Sequence, residues 1–254
     1  MAGELEGVVA FVTGGTRGIG LATAKALGKA GARIVISDIS PEDGEATREA
    51  LSELRGENIR CDFFQCDVRK YDEVERTISG IERNIGPISV LVNNAGIPQA
   101  TKPLWETTLE EWENVVRTNL DSVFYCMKLV LPKMMERNYG RIVNLSSISG
   151  KEGNAREAAY SATKHGVLGL TKSVAKEVLN YNIRINAVCP ALINTPLLEA
   201  LPQSQIDYFT NKIPLGRLGE AEEVADLIKF LVCSEAVNFI TGMAFDISGG
   251  RADF

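Results

Sequence analysis

Strand-like and helix-like segments alternate along the whole chain, and this alternation constrains the fold more than any other feature. Strand candidates are Gly7–Thr13, Arg33–Asp38, Ile59–Gln65, Ile88–Asn93, Arg141–Ser147, Ile183–Cys189 and Met243–Ile247. Several are almost unbroken Val/Ile/Leu runs, as expected of parallel strands covered on both faces. Helical stretches fall between them, at Arg17–Ala30, Glu42–Arg55, Lys70–Asn84, Leu109–Arg137, Ala159–Leu179 and Glu220–Cys233. The pattern predicts an α/β domain built on a doubly wound parallel sheet of about seven strands, with right-handed crossovers and helices on both faces. No Pro/Ser-rich linker or low-complexity tract interrupts residues 1–254, which therefore read as one domain. The exception to the regular beat is 191–219, where Pro196, Pro202 and Pro214 punctuate a long insert after the sixth strand. Long loops at that edge of such a sheet often serve as substrate lids.

Composition narrows the functional classes. The formal net charge is -6, which argues against a sequence-wide basic surface for nucleic acid. No apolar run approaches the roughly 18 residues of a membrane span. The opening Met-Ala-Gly-Glu-Leu-Glu is acidic, the opposite of a secretory leader. Five scattered cysteines (Cys61, Cys66, Cys126, Cys189 and Cys233) and a lone His165 form no metal set. The cysteines read as reduced, mostly buried side chains of a cytoplasmic protein.

Two motifs carry chemistry. Thr13-Gly-Gly-Thr-Arg-Gly-Ile-Gly20 follows the first strand and opens the first helix. Its glycines let backbone N–H groups and a helix N-terminus approach a pyrophosphate, so Gly14, Thr16, Arg17, Gly18, Ile19 and Gly20 are candidate cofactor contacts. Asp38 closes the second strand near the spacing at which an acid bonds the adenosine ribose. Its carboxylate would repel a 2′-phosphate and favours NAD over NADP; Arg17 argues the other way, and a solvated turn acid is the bland alternative. The second motif is Tyr160-Ser-Ala-Thr-Lys164, with Ser147 thirteen residues earlier. One helical turn separates Tyr160 from Lys164, so both lie on one face. A neighbouring ammonium would lower the phenol's ordinary pKa of about 10 towards that of a useful base. Ser147 should sit at a strand exit, where open α/β sheets bind ligands.

In this order the motifs resemble the short-chain dehydrogenase/reductase family. Asn93-Asn-Ala-Gly96, Asn119, and Asn186-Ala-Val-Cys-Pro190 followed by Thr195 complete the resemblance, which covers essentially the whole chain. It implies a Rossmann-type fold and hydride transfer between a nicotinamide cofactor and a secondary alcohol or ketone. Tyr160 would exchange the proton. Ser147 would orient the reacting oxygen, with Ser146 as the neighbouring alternative. Lys164 would acidify Tyr160 and bond the nicotinamide ribose, and Asn119 would anchor a water in a proton relay. Asp67 and Val68 would contact adenine, and Asn93, Ala95 and Gly96 the ribose and phosphate path. Tyr160, Lys164, Pro190, Ile193 and Thr195 would border the nicotinamide. The family usually has Gly after Pro190; Ala191 would be strained if the backbone there needs a positive φ.

Among family members, much of the chain looks like 3-oxoacyl-acyl-carrier-protein reductases and related sugar, polyol and sugar-acid dehydrogenases. The epimerase and dehydratase branch carries a different glycine motif and a further C-terminal domain. The carrier-protein reductases often bear arginine at two helix ends where this chain has Asn138 and Tyr181; nearby Arg137, Lys176 and Arg184 are possible substitutes. They also tend to use NADPH. Ser149, Lys151 and Asn154, with Ser147 and Tyr160, are candidate contacts for a small polar substrate; the alternative is a solvated loop. Leu197, Leu198, Ile206 and Phe209 would give the insert an apolar lining. His165 reads as a packed helix residue. Family habit implies a homotetramer and a C-terminal Gly249–Phe254 that reaches a neighbouring subunit's lid. A rival reading of another class is a non-catalytic sensor of NAD(H).

Overall fold

A computed structural model describes residues 4–196, 198 and 202–252. Seven strands form one parallel sheet: β1 (Val9–Thr13), β2 (Arg33–Asp38), β3 (Cys61–Gln65), β4 (Ile88–Asn93), β5 (Gly140–Leu145), β6 (Ile183–Pro190) and β9 (Ala244–Ile247). Their order is β3-β2-β1-β4-β5-β6-β9. The order reverses between β1 and β4, which opens a crevice at the carboxyl ends of those strands.

Alternation along each strand assigns its side chains to two cores. On β1, Ala10 and Val12 face one side and Val9 and Phe11 the other. The first set packs with Leu27 of α1 (Gly18–Lys29), Leu54 of α2 (Glu45–Gly56) and Ile228 of α9 (Ala221–Cys233). The second packs with Ile78 and Ile81 of α3 (Tyr71–Asn84), Met127 and Met134 of α5 (Ser122–Glu136) and Val167 of α7 (Ala158–Glu177). Burying each such side chain contributes about 2 kcal/mol.

Departures from the expected boundaries have local causes. Asn58 takes a left-handed φ of 60° and the Ile59 N–H donates to the Leu54 carbonyl, so Ile59 belongs to the turn that closes α2 instead of starting β3. Glu42 lies in a turn closed by the Gly44 N–H on the Pro41 carbonyl, and α2 starts three residues later. β5 stops at Leu145, leaving Ser146 and Ser147 beyond the sheet on the crevice side. The single helix expected over Leu109–Arg137 is α4 (Leu109–Val116), a π-helical turn at Arg117–Asp121, then α5. Thr108 starts α4 with a capping box to Glu111. Ala191 has no positive φ, so the strain anticipated after Pro190 is absent.

The insert after β6 contains three short elements not anticipated from sequence. β7 (Ile193–Asn194) pairs with β8 (Gly219–Glu220), closing the insert at its base, and α8 (Gln203–Thr210) lies between them. Phe209 of α8 and Leu198 are buried against the crevice, Ile206 is half-buried, and Leu197 falls outside the described residues. The tail through Ala252 packs on the insert of its own chain, where the Leu215 N–H donates to the Gly249 carbonyl at 3.1 Å; Asp253 and Phe254 lie outside the described residues.

Candidate active site

A cleft of about 420 Å³ runs along the carboxyl edge, from the ends of β2 and β3 to the insert. At one end the glycine turn joins β1 to α1. Gly14 and Gly18 adopt φ of 62° and 53°, a region that disfavours a side chain. A Cβ on Gly20 would fall 2.1 Å from the Gly14 carbonyl oxygen, so only glycine lets α1 start this close to the turn. The Asn94 amide donates to the carbonyls of Thr13 (2.9 Å) and Gly14 (2.8 Å), and the Thr13 hydroxyl accepts from the N–H groups of Asn94 and Ala95. The turn is thereby fixed to the loop after β4. Arg17 precedes α1 in extended conformation and gives no side-chain cap, and the first turn holds no acidic residue. Its leading N–H groups and the positive end of the helix dipole are left for an anion.

Beyond the glycine turn, Asp38 lines the cleft at the end of β2. The Thr16 hydroxyl donates to its Oδ2 at 2.6 Å, fixing the carboxylate in place. Asp67 and Val68 also line this end. Arg69 donates to both oxygens of Asp67 at 2.8 Å, which holds the Asp67 carboxyl below the usual carboxylate range. Its remaining edge donates to Asn114 at 2.9 Å. A fixed carboxylate at the end of β2, an uncapped helix start and a glycine cradle together fit a nicotinamide dinucleotide.

The other end holds Ser147, Tyr160 and Lys164. The two serines after β5 separate by partner: the Ser146 hydroxyl donates to the Lys164 carbonyl at 2.8 Å, whereas the Ser147 hydroxyl accepts from the Ser149 N–H at 3.1 Å and lines the cleft with Tyr160. The side-chain oxygen of Gln99 accepts from the Tyr160 N–H at 3.0 Å and ties α7 to the loop after β4. The Lys164 ammonium donates to the Leu145 carbonyl at 2.8 Å and lies 5.7 Å from the centre of the Tyr160 ring.

Burial dominates the electrostatics of this pair, contrary to the expectation from sequence. It pushes the half-buried Tyr160 phenol up to about 12; the Ser147 hydrogen bond pulls it down and Glu157 adds a smaller upward push. Burial lowers the Lys164 ammonium to about 8. The phenol is therefore protonated at neutral pH in this state.

Most predicted site residues meet at this cleft: Gly14, Arg17, Gly18, Ile19, Asp38, Asp67, Val68, Ala95, Gly96, Ser147, Ser149, Asn154, Tyr160, Lys164, Pro190, Ile193 and Thr195 all line it. Five do not. Thr16 and Gly20 are buried behind the wall and shape it. Asn93, the last residue of β4, points into the sheet and donates to Asn144 at 2.8 Å; Asn94, one position on, is the cleft residue. Asn119 is 1% exposed, and its side-chain amide clamps the N–H and carbonyl of Ile97 at 2.8 and 2.9 Å. Lys151 turns away to pair with Asp246 at 2.7 Å, because Ser149 and Lys151 occupy opposite sides of the short helix α6 (Ser149–Glu152). His165 is exposed rather than packed. Sequence reasoning missed Gln99, Glu157 and Arg251 as lining residues. For Glu157 there was a signal, since it precedes Tyr160 by three positions on a helical face.

A family model described as Enoyl-(Acyl carrier protein) reductase matches residues 14–252. A 2-dehydro-3-deoxy-L-rhamnonate dehydrogenase (NAD(+)) of Sphingomonas sp. (strain SKA58) is 40% identical over 253 residues, covering 100% of this chain and 98% of its own. A 3-oxoacyl-acyl-carrier-protein reductase of Thermotoga maritima is 39% identical over 247 residues, covering 97% and 98%. Among solved structures, a point variant of actinorhodin polyketide ketoreductase with NADPH superposes with a TM-score of 0.91 at 37% identity, covering 100% of both chains. Likeness at that level over the full sheet, together with the matching family model, leaves one assignment: the chain belongs to the short-chain dehydrogenase/reductase family and is an oxidoreductase acting on CH–OH groups.

Proposed function

We propose that the protein interconverts a secondary alcohol and a ketone with NAD(H), on a small hydroxylated compound such as a sugar, polyol or sugar acid. The observation that carries this reading is that Ser147, Tyr160 and Lys164 line one wall of the cleft, with the Lys164 ammonium 5.7 Å from the centre of the Tyr160 ring. The bound dinucleotide would supply or accept the hydride. Gly14, Gly18 and the start of α1 would hold its pyrophosphate, Asp38 its adenosine ribose, and Ile193 and Thr195 its carboxamide end. Ser147 orients the substrate oxygen: its hydroxyl oxygen accepts from the Ser149 N–H, and its proton would go to that oxygen in the bound complex. Tyr160 gives that oxygen a proton in reduction and takes one in oxidation. Incubation with NAD and a panel of polyols and hydroxy acids, followed at the NADH absorbance, tests the reading; binding of NAD without turnover of any panel member would favour the sensor instead.

Asp38 supports NAD as the cofactor, and the name of the Sphingomonas relative, an NAD(+) enzyme, agrees. Asp38→Ala should raise kcat/KM for NADP about 10-fold or more while lowering it for NAD, because the carboxylate's repulsion of a 2′-phosphate and its ribose contact are lost together. A wild type that already prefers NADPH would remove Asp38 from this role.

The second reading, a carrier-protein reductase, is favoured by the name of the Thermotoga relative. The arginines available to grip an acidic carrier are engaged within the chain. Arg137 donates to both carboxylate oxygens of Glu82 at 3.0 and 3.2 Å, and Arg184 donates to the Asn238 and Tyr181 carbonyls. No described helix is long and apolar enough to cross a membrane, and all five cysteines are free, which fits a cytoplasmic protein. The apolar side chains of Trp105, Leu109, Trp112 and Phe124 are exposed and support assembly into a homotetramer. Light scattering in solution should return four times the 27.6 kDa chain mass; a monomer would reject that assembly.

A further inference from the structure

The substrate end of the cleft is organised around a cation that no sequence motif marks. Arg251 follows β9, where Gly249 and Gly250 take φ of 61° and 86° and turn the tail beneath the insert. The residue is 9% exposed and lines the same cleft as Tyr160. Its Nε and Nη2 donate to Glu152 at 3.1 and 2.9 Å, and Nη2 also donates to Asn154 at 2.9 Å. Phe209 of α8 lies under the guanidinium, 6.0 Å from ring centre to the guanidinium carbon. Nη1 donates to no group among the described residues. A guanidinium this buried normally has its donors filled.

A chain of hydrogen bonds connects this arginine to the reacting position. The Asn154 amide donates to the Ser149 hydroxyl at 2.7 Å, and the Ser149 N–H donates to the Ser147 hydroxyl at 3.1 Å. The charges facing this part of the wall are Arg251 and Lys212 against Glu152 and Glu157. Burial pushes the Glu157 carboxyl up.

We propose that Arg251 anchors a carboxylate on the substrate, making the physiological substrate a hydroxy or oxo acid rather than a neutral polyol or a thioester-linked acyl group. Glu152 and Asn154 hold one edge of the planar fork, and the Nη1 side meets the substrate's carboxylate. The proposal rests on the alcohol–ketone reading of the cleft and specifies its substrate.

The test compares wild type, Arg251→Ala, Arg251→Lys and Glu152→Gln on 2-dehydro-3-deoxy-L-rhamnonate and D-gluconate, each beside its uncharged carboxamide, together with calorimetric binding of both acids to the NAD-loaded protein. In Arg251→Ala, kcat/KM for the acid should fall about 100-fold, mainly through KM, with the carboxamide unaffected. Arg251→Lys should recover part of the loss, because the charge returns without the fork. Glu152→Gln, which keeps the guanidinium and an acceptor for it, should lose far less on the acid than Arg251→Ala does. Equal losses on acid and carboxamide, or a loss in Glu152→Gln matching that of Arg251→Ala, would reveal a merely structural arginine and overturn the proposal. Failure of the wild type to bind either acid would also overturn it. Acid binding that depends on Arg251 but leads to no turnover would uphold the anchor and reject the oxidoreductase reading of the substrate. Turnover indifferent to the carboxylate would do the reverse.

Discussion

Tyr160→Phe is expected to lower turnover roughly a thousandfold in both directions while NADH binds nearly as before, the loss typical of a removed general acid–base. The ring stays, so its place in the cleft wall is kept; only the hydroxyl is lost. With burial holding the phenol near 12, the proton it needs for reduction is in place at neutral pH. Oxidation requires the scarce phenolate, so the oxidative rate of the wild type should climb as pH rises from 7 to 10, and the reductive rate should not. The variant should lose that climb. Fluorescence titration with NADH and pH profiles of both directions check these outcomes together. An unchanged kcat would sink the role given to Tyr160.

Lys164→Met should abolish most activity and yet make the cofactor-free protein harder to unfold. The ammonium is 5% exposed and lowered from its ordinary value of 10.5 to about 8. Below pH 8 both folded and unfolded chains hold this proton, and the folded chain bears the full cost of a buried charge, on the order of 3 kcal/mol. Between pH 8 and 10.5 the unfolded chain binds more protons, so this group's contribution to stability rises with pH; above 10.5 the cost is gone. Methionine fills nearly the same volume without charge, and the hydrogen bond to Leu145 that it forgoes is worth about 1 kcal/mol. The expected result is a Tm roughly 5 °C above wild type at pH 7, with the gap narrowing as pH approaches 10.5. A variant less stable than wild type at pH 7 would show that the lysine is not held at a cost. A site that spends stability on function would account for the opposite outcome in activity.

The sheet was legible because its strands are covered on both faces, which leaves unbroken Val/Ile/Leu runs such as Val90–Val92. The short elements β7, β8, α6 and α8 span too few residues to develop a period, and one extra residue in the π-turn leaves the apolar pattern of Leu109–Arg137 nearly undisturbed. Within the cleft, motif residues on the glycine turn and at strand exits were readable because backbone geometry dictates where they go. Asn93 and Asn94 could not be told apart, since a strand end displaced by one position exchanges the faces. Lys151 was misplaced for a related reason, being two residues from Ser149 on a helical turn. Arg251 left no local trace: its position depends on how a glycine-hinged tail folds beneath an insert some thirty positions upstream.

The π-turn at Arg117–Asp121 also sets what the neighbouring helices show to solvent. Trp112 and Phe124 stand twelve steps apart, which in an uninterrupted α-helix would separate their azimuths by about 120°. Absorbing one residue in the wider turn brings that separation to about 20°, and Leu109 lies about 60° from Trp112 on the same side. Three large apolar side chains that would otherwise be scattered are thus aligned in a single stripe, so one surplus residue beside Asn119 governs both the clamp on Ile97 and the shape of an outward-facing sticky seam.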